Sequence, residues 1–136
     1  MSNTTVLDAS AVLACLHREP GGEAVENALL AGDCLVSAAN HAEIIARALD
    51  RGVAPEAITA ILAQLGYQVA DVTAADGQAA GLLRGATRSL GLSLGDRLCL
   101  ALAQRTGART LTADRPWLQV AEPLGLRIVC IRPNAS

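Results

Sequence analysis

Short apolar segments alternate regularly along this chain with longer segments of helical periodicity, a pattern that few folds can accommodate. The first apolar segment is β-branched, breaks at Asp8 and is followed at once by a helical repeat. Four later apolar segments lie between helical stretches or close the chain. The predicted strands cover residues 5–8, 34–37, 68–72, 109–112 and 127–131.

Helices are predicted in the intervals between these strands. Glycines at 52 and 107 end two of them, and Pro55 opens another. The predicted helices cover residues 9–16, 23–30, 39–51, 55–65, 74–90 and 96–106, with a short helical turn around Trp117. The predicted apolar stripe of the helix at 39–51 consists of Ala39, Ala42, Ile45, Ala46 and Leu49.

Strands that alternate with helices favour a mostly parallel sheet covered on both faces, because parallel neighbours need crossover connections. We therefore expect a three-layer, Rossmann-like α/β fold with a sheet of about five strands. The 136 residues, 51% of them apolar, suit a single domain over residues 1–136. No apolar run approaches the ~18 residues of a membrane span, and the N-terminus lacks the basic region of a signal peptide. We expect a cytoplasmic protein without membrane contact.

The composition excludes several classes of function. The chain has no lysine, which argues against Schiff-base chemistry, phosphate-binding P-loops, haloacid-dehalogenase-type phosphotransferases and response-regulator receivers. Trp117 and Tyr67 are the only aromatic residues, too few for a base-stacking platform. The four cysteines form no CxxC pair, and the two histidines have no neighbour at zinc-ligand spacing. We expect buried free thiols.

Charge is divided unevenly along the chain. Residues 1–68 hold three arginines against eight acids (−5), whereas residues 69–136 hold eight arginines against five acids (+3). This division permits, without requiring, a polyanionic partner on one side of the molecule.

Four acids are predicted to lie at one edge of the sheet. Asp8 closes the first strand, and Asp114 follows the fourth. Glu43 and Asp96 lie near the starts of two helices. The carboxyl ends of parallel strands meet at one edge, where open α/β sheets place their sites. Clustered carboxylates repel one another unless a cation neutralises them. We therefore expect a hard divalent cation among them, Mg²⁺ or Mn²⁺ rather than zinc.

Each acid also has a purely structural interpretation. Asp8 and Asp96 could stabilise helix starts, Glu43 could pair with Arg47 four residues later, and Asp114 could belong to a turn. On its helix, Asp96 shares a face with Cys99, Leu100 and Ala103, which we expect to pack on the sheet. Taken singly the structural roles are the more common; their convergence at one edge favours the metal site.

The sequence resembles the PIN-domain nucleases, and specifically the VapC-type toxins of bacterial toxin–antitoxin pairs. The resemblance covers essentially the whole chain and rests on four segments in the order and spacing of that family. They are residues 6–11 (VLDASA), 37–43 (SAANHAE), 92–96 (LSLGD) and 111–114 (LTAD).

This resemblance implies a PIN-like fold and an Mg²⁺-dependent endoribonuclease that cuts RNA and is silenced by a cognate antitoxin. It implies that the metal is held by a catalytic quartet, supported by two hydroxyls. The quartet is Asp8, Glu43, Asp96 and Asp114, and the hydroxyls belong to Ser10 and Thr112. Relatives pair through helices, which makes a homodimer through residues 55–65 or 74–90 an expectation. The alternative is a catalytically inactive PIN-fold module that binds protein.

The chain departs from the family pattern at two places. Arg97 follows the third acid, where such toxins often carry a small residue; it could reach phosphate or pair with a neighbour. Pro116 and Trp117 occupy the stretch after the fourth acid, where relatives can carry a further acid. The number of metal ions therefore stays open.

Overall fold

The computed structural model describes residues 3–133 and contains one sheet of five parallel strands. The strand order across the sheet is β3-β2-β1-β4-β5, so the first strand of the chain lies in the middle. The strands are β1 Thr5–Leu7, β2 Cys34–Ser37, β3 Gln68–Ala70, β4 Arg109–Thr112 and β5 Ile128–Cys130. Residues 1–2 and 134–136 of the predicted domain lie outside the described part of the chain.

Between residues 3 and 133 the strands are connected by eight α-helices and two 3₁₀ turns. The helices are α1 Ala9–Leu16, α2 Gly22–Ala31, α3 Ala38–Asp50, α4 Pro55–Leu65, α5 Ala74–Leu82, α6 Arg84–Thr87, α7 Leu94–Thr106 and α8 Leu118–Leu124. The 3₁₀ turns are Arg88–Leu90 and Arg115–Trp117. No helix in this part of the chain is both long and apolar enough to cross a bilayer.

Both faces of the sheet are buried, as the predicted three-layer fold requires. Side chains of successive strand residues point to opposite faces, so Leu7 packs in one apolar cluster and Val6 in the other. The cluster around Leu7 includes residues of α1, α2, α3 and α4, and the cluster around Val6 includes residues of α7 and α8. Trp117 is fully buried in the second cluster. The prediction of a parallel, three-layer α/β fold is confirmed.

Two predicted helices differ from the observed ones. The helix predicted at 74–90 is divided into α5, α6 and a 3₁₀ turn, since a segment with several glycines holds a continuous helix weakly. The helix predicted to start at Asp96 starts at Leu94, because Ser93 is its N-cap and Asp96 is the third helical residue of a capping box. The pattern Ser-x-x-Asp marks this start in the sequence.

The buried side of α3 also differs from the predicted stripe. Asn40, Ile44 and Ala48 are the buried residues of this helix, whereas Ala42, Ala46 and Leu49 of the predicted stripe are exposed. The four cysteines are free, as predicted, but only Cys34 and Cys99 are buried and the other two are half-buried.

Candidate functional site

All four predicted acids line one cavity of about 270 Å³ at the carboxyl edge of the sheet. Asp8 follows β1 and Asp114 follows β4, and these two strands are neighbours in the sheet. Glu43 comes from the second turn of α3, and Asp96 from the first turn of α7. The topology thus brings together four acids that are far apart in the sequence.

Asp8 is the most buried of these acids and is held by hydrogen bonds on both carboxylate oxygens. Its side chain caps α1, since the Ala11 N–H donates to Oδ1 at 2.8 Å. The Ser10 hydroxyl lies 2.8 Å from Oδ1 and 2.9 Å from Oδ2, and the Thr112 hydroxyl donates to Oδ2 at 2.6 Å. Both hydroxyls that were expected to support the site therefore contact Asp8 directly.

The electrostatics of Asp8 are those of an undercompensated buried carboxylate. Burial raises its pKa from 3.8 to about 7; the bonds from Thr112, Ala11 and Ser10 oppose this rise, and the charge of Asp114 adds to it. Burial also raises the pKa of Asp114, with a further rise from Asp96. A cation in this cavity would favour the ionised form of both groups.

Glu43 is positioned by two residues that the sequence analysis did not identify. The Asn40 side-chain amide donates to Glu43 Oε1 at 2.8 Å and to the Gly95 carbonyl at 3.2 Å. A Cβ atom at Gly95 would lie 2.5 Å from Glu43 Oε1, so only glycine leaves room for this carboxylate beside the first turn of α7. Glu43 makes no ion pair with Arg47, which instead also lines the cavity.

Asp96 combines a structural position with a place in the cavity. Its Oδ2 accepts a hydrogen bond from the Ser93 N–H at 2.9 Å, and its own N–H donates to the Ser93 hydroxyl at 3.1 Å. The predicted face of α7 is confirmed, because Cys99, Leu100 and Ala103 are fully buried. Burial raises the pKa of the Cys99 thiol well above its ordinary value, and the charges of Asp8, Asp96 and Glu43 raise it further. Three of the acids therefore lie close enough to act on one thiol.

The Arg97 side chain is bonded within the fold. Its Nη1 donates to the Ala80 carbonyl at 2.9 Å, which ties α7 to α5. Of the two possibilities for Arg97, the structure shows the pairing with a neighbour.

The donor set of the cavity suits a hard cation, although the carboxylates are not gathered around one point. No three or more Asp, Glu, His or Cys side chains among residues 3–133 are arranged to hold a metal ion as they stand. Asp96 and Glu43 are instead bonded to Ser93 and Asn40. The ligands available in the cavity are carboxylate oxygens, which fit Mg²⁺ or Mn²⁺ with water completing the shell.

Comparison with known proteins agrees with this architecture. The family model of the PIN domain matches residues 5–123. Among solved structures, a toxin–antitoxin complex from Klebsiella pneumoniae has a chain with 16% identity and a TM-score of 0.72, and the match covers 96% of this chain and 100% of that one. DNA-bound VapBC from Salmonella typhimurium matches with 18% identity and a TM-score of 0.69, over 93% of this chain and 96% of that one.

A third solved structure, VapBC2 from Rickettsia felis bound to a promoter DNA fragment, has 16% identity and a TM-score of 0.71, over 93% of this chain and 97% of that one. The search among curated proteins found no match. At such low identity the solved structures establish the likeness of fold. The family model spans most of the chain and all four acids, and the chain belongs to the PIN domain family.

Proposed function

We propose that this chain is a metal-dependent endoribonuclease that hydrolyses RNA phosphodiester bonds and acts in the cytoplasm as the toxin of a toxin–antitoxin pair. The observation that carries the proposal is the convergence of four acids on one cavity in which Asp8 is buried and, among residues 3–133, forms no ion pair with a cationic side chain. Membership of the PIN family supports nuclease chemistry. The solved structures of similar fold are toxin–antitoxin complexes, which supports the biological role. We take residues 1–136 as one domain.

The proposed ligands of Mg²⁺, or of Mn²⁺, are the carboxylates of Asp8, Glu43, Asp96 and Asp114, directly or through water. The bound ion would polarise the scissile phosphate and lower the pKa of the attacking water. Asp8 is held in place for this role by the hydroxyls of Ser10 and Thr112.

The remaining ligands are held by groups that do not themselves carry charge. Asn40 fixes one oxygen of Glu43 and leaves the other free, and the Ser93 N–H fixes Oδ2 of Asp96. The carboxylates of Glu43 and Asp96 therefore each keep an oxygen that can face the cavity. Because burial raises the pKa of Asp8 to about 7 in the metal-free protein, the carboxyl is partly protonated at neutral pH, and binding of a cation should release that fraction of a proton.

The direct test is cleavage of a labelled single-stranded RNA by the purified protein. We expect cleavage with Mg²⁺, none with EDTA, and a loss of at least about 100-fold in Asp8→Asn and Asp114→Asn, as for removal of a principal electrostatic group. Glu56→Gln, an exposed acid on α4, is the matched control and should cleave normally. Cleavage by Asp8→Asn at the rate of the control would refute the proposal.

A second candidate function is a catalytically inactive PIN-fold module that binds protein. The observation that favours it is the absence, among the described residues, of three acids already arranged around a metal position. Thermal unfolding with and without Mg²⁺ separates the two functions. An increase in melting temperature that Asp8→Asn abolishes supports the nuclease, whereas no increase in either protein supports the binding module.

The proposed antitoxin partner would inhibit by placing an arginine or lysine among the four carboxylates in place of the cation. Such a partner and Mg²⁺ should weaken each other's binding by the same factor. The product of a small gene immediately upstream is the partner to test, by calorimetry at rising Mg²⁺ concentration. An affinity independent of Mg²⁺ would mean that the partner covers the RNA-binding surface and leaves the metal in place.

We also propose a homodimer formed through helices. Ile61 on α4 and Leu82 at the end of α5 are 40% and 76% exposed, whereas Ile58 and Leu62 belong to the core. Analytical ultracentrifugation at micromolar concentration should therefore show twice the 13.9 kDa mass of one chain. A single species of monomer mass would contradict the proposal.

A further inference from the structure

The acid-lined cavity continues into a second cavity of about 270 Å³ that has a different chemistry. Four residues line both cavities, which makes them two lobes of one groove: Ser10, Leu13, Arg47 and Asp114. We call the first the acid lobe and the second the arginine lobe. The two lobes thus adjoin each other at the edge of the sheet.

The sign of the charge reverses along this groove. In the acid lobe four carboxylates face a single guanidinium, that of Arg47. In the arginine lobe three guanidiniums face two carboxylates, and one of these carboxylates, Asp114, belongs to both lobes. The cationic side chains of the arginine lobe are Arg47, Arg51 and Arg132, with His17 beside them.

Two of these arginines have no hydrogen-bonded or ion-paired partner within the described part of the chain. Arg47 and Arg51 are exposed, and neither guanidinium makes a hydrogen bond or an ion pair between residues 3 and 133. By contrast, Arg97 and Arg105 are bonded within the fold. Unpartnered guanidiniums in a groove are available to an external anion, and their planar donor set matches phosphate.

The third arginine, Arg132, lines the groove and also pairs with an acid of the protein. Arg132 Nη2 lies 3.7 Å from Glu19 Oε1, with both side chains about two-fifths exposed. Arg47 and Arg132 line the arginine lobe together with Asp114, and their charges oppose the rise in the pKa of this carboxylate that burial causes. The two lobes therefore meet at Asp114, where the proposed cation would sit beside the arginines.

We propose that the arginine lobe binds a phosphate group of the RNA strand next to the phosphodiester that is cleaved in the acid lobe. The proposal rests on the proposed nuclease function and names the path of its substrate. One phosphate meets the carboxylates through the cation, and its neighbour on the strand meets Arg47 and Arg51 directly. Such a contact would fix the position of the strand without selecting its base sequence.

The first arm of the test measures RNA binding in EDTA, where no cleavage occurs. The anisotropy of a labelled single-stranded RNA is followed against salt for wild type, Arg47→Gln, Arg51→Gln and the double variant. Each substitution should make the negative slope of log K against log salt shallower by about 0.7, the value for one phosphate contact on a single strand. Arg127→Gln makes the same change of charge at the opposite edge of the sheet, and it should leave the slope unchanged.

The second arm locates the contact on the strand. Single methylphosphonate groups, which remove one phosphate charge each, are placed at successive positions around a mapped cleavage site. Wild type should lose about two- to five-fold in kcat/KM at one position adjacent to the cleaved bond, a size typical of one exposed charge pair. The double variant should be slower on the unmodified RNA and insensitive to that position.

These two arms separate failure of the proposal from failure of the proposed function. Cleavage by wild type together with unchanged slopes in the arginine variants, or with equal methylphosphonate sensitivity in wild type and double variant, overturns the arginine lobe and leaves the nuclease intact. If the salt slopes of the arginine variants become shallower as expected but the wild type does not cleave RNA, the arginine lobe is supported and the nuclease function is overturned. Absence of both binding and cleavage overturns both.

Discussion

Replacement of Asp8 by asparagine tests the electrostatics of the acid lobe without requiring any metal. The carboxyl group is 2% exposed, and its pKa is raised to about 7 chiefly by burial. Asparagine has nearly the same shape and is a good N-cap, so its side-chain oxygen can still accept from the Ala11 N–H. It cannot ionise, and it replaces the acceptor of the Thr112 hydroxyl by an amide donor.

The size of the effect on the free energy of unfolding follows from the difference between the pKa values of Asp8 in the native and unfolded states. Between 3.8 and about 7 the native state holds more protons at Asp8 than the unfolded state, so stability falls as the pH rises. Integrating this difference from pH 5 to pH 8 gives a loss of roughly 2 to 3 kcal/mol for wild type. Asp8→Asn has no such contribution and should carry only a pH-independent cost of about 1 kcal/mol for the altered bond to Thr112.

The assay is urea unfolding in EDTA at pH 5, 6, 7 and 8. Relative to wild type, Asp8→Asn should be slightly less stable at pH 5 and more stable at pH 8. Asp76→Asn is a matched control, because Arg105 lowers the pKa of Asp76 and its stabilising contribution is lost only in more acidic solution. The difference between Asp76→Asn and wild type should therefore be constant from pH 5 to pH 8. A constant difference for Asp8→Asn as well would refute the account of the acid lobe.

Three further predictions follow from contacts around the site. Gly95→Ala should lower the affinity for Mg²⁺ about ten-fold, because the new Cβ displaces the Glu43 carboxylate; calorimetry measures this, and an unchanged affinity would remove Glu43 from the ligand set. Asn40→Ala should destabilise the protein by about 1 to 3 kcal/mol in urea unfolding, since a carbonyl and a carboxylate lose their donor. Asp76→Ala removes a capping box and the ion pair with Arg105, and it should lower the free energy of unfolding by about 2 kcal/mol. RNA cleavage by this variant should stay at the wild-type rate. Slower cleavage would mean that this helix start also supports the site.

The sequence was sufficient to predict the sheet and the edge at which the acids lie. Strand segments are marked by short apolar runs, and the parallel arrangement follows from the helices between them. Once strands are parallel, Asp8 and Asp114 must lie at the same edge, whatever the exact helix boundaries. Positions fixed by topology are therefore predictable from local patterns.

The surroundings of the acids depend on distant packing and were not predictable in this way. Asn40 lies on the buried side of α3, where an apolar stripe would suggest alanines and isoleucine. Its importance comes from Gly95, 55 positions away, whose main-chain carbonyl accepts a hydrogen bond from the Asn40 side-chain amide. The arginine lobe likewise lies between α3 and residues that follow β4 and β5. The local periodicity of a sequence does not indicate contacts between such distant residues.

For Asp8 and Asp96 the structural role at a helix start is observed, and it is compatible with the proposed role in metal binding. Asp8 caps α1 and Asp96 belongs to the capping box of α7, so the main-chain N–H groups of two helix starts stabilise negative charge where a cation is also expected. These donors orient the carboxylates but do not neutralise them, which is why the pKa of Asp8 stays high despite its hydrogen bonds. Asparagine at either position keeps an acceptor for the helix start and loses the charge. Such variants therefore separate the contribution of each acid to folding from its contribution to metal binding, and a capping role alone would leave the Mg²⁺ affinity unchanged.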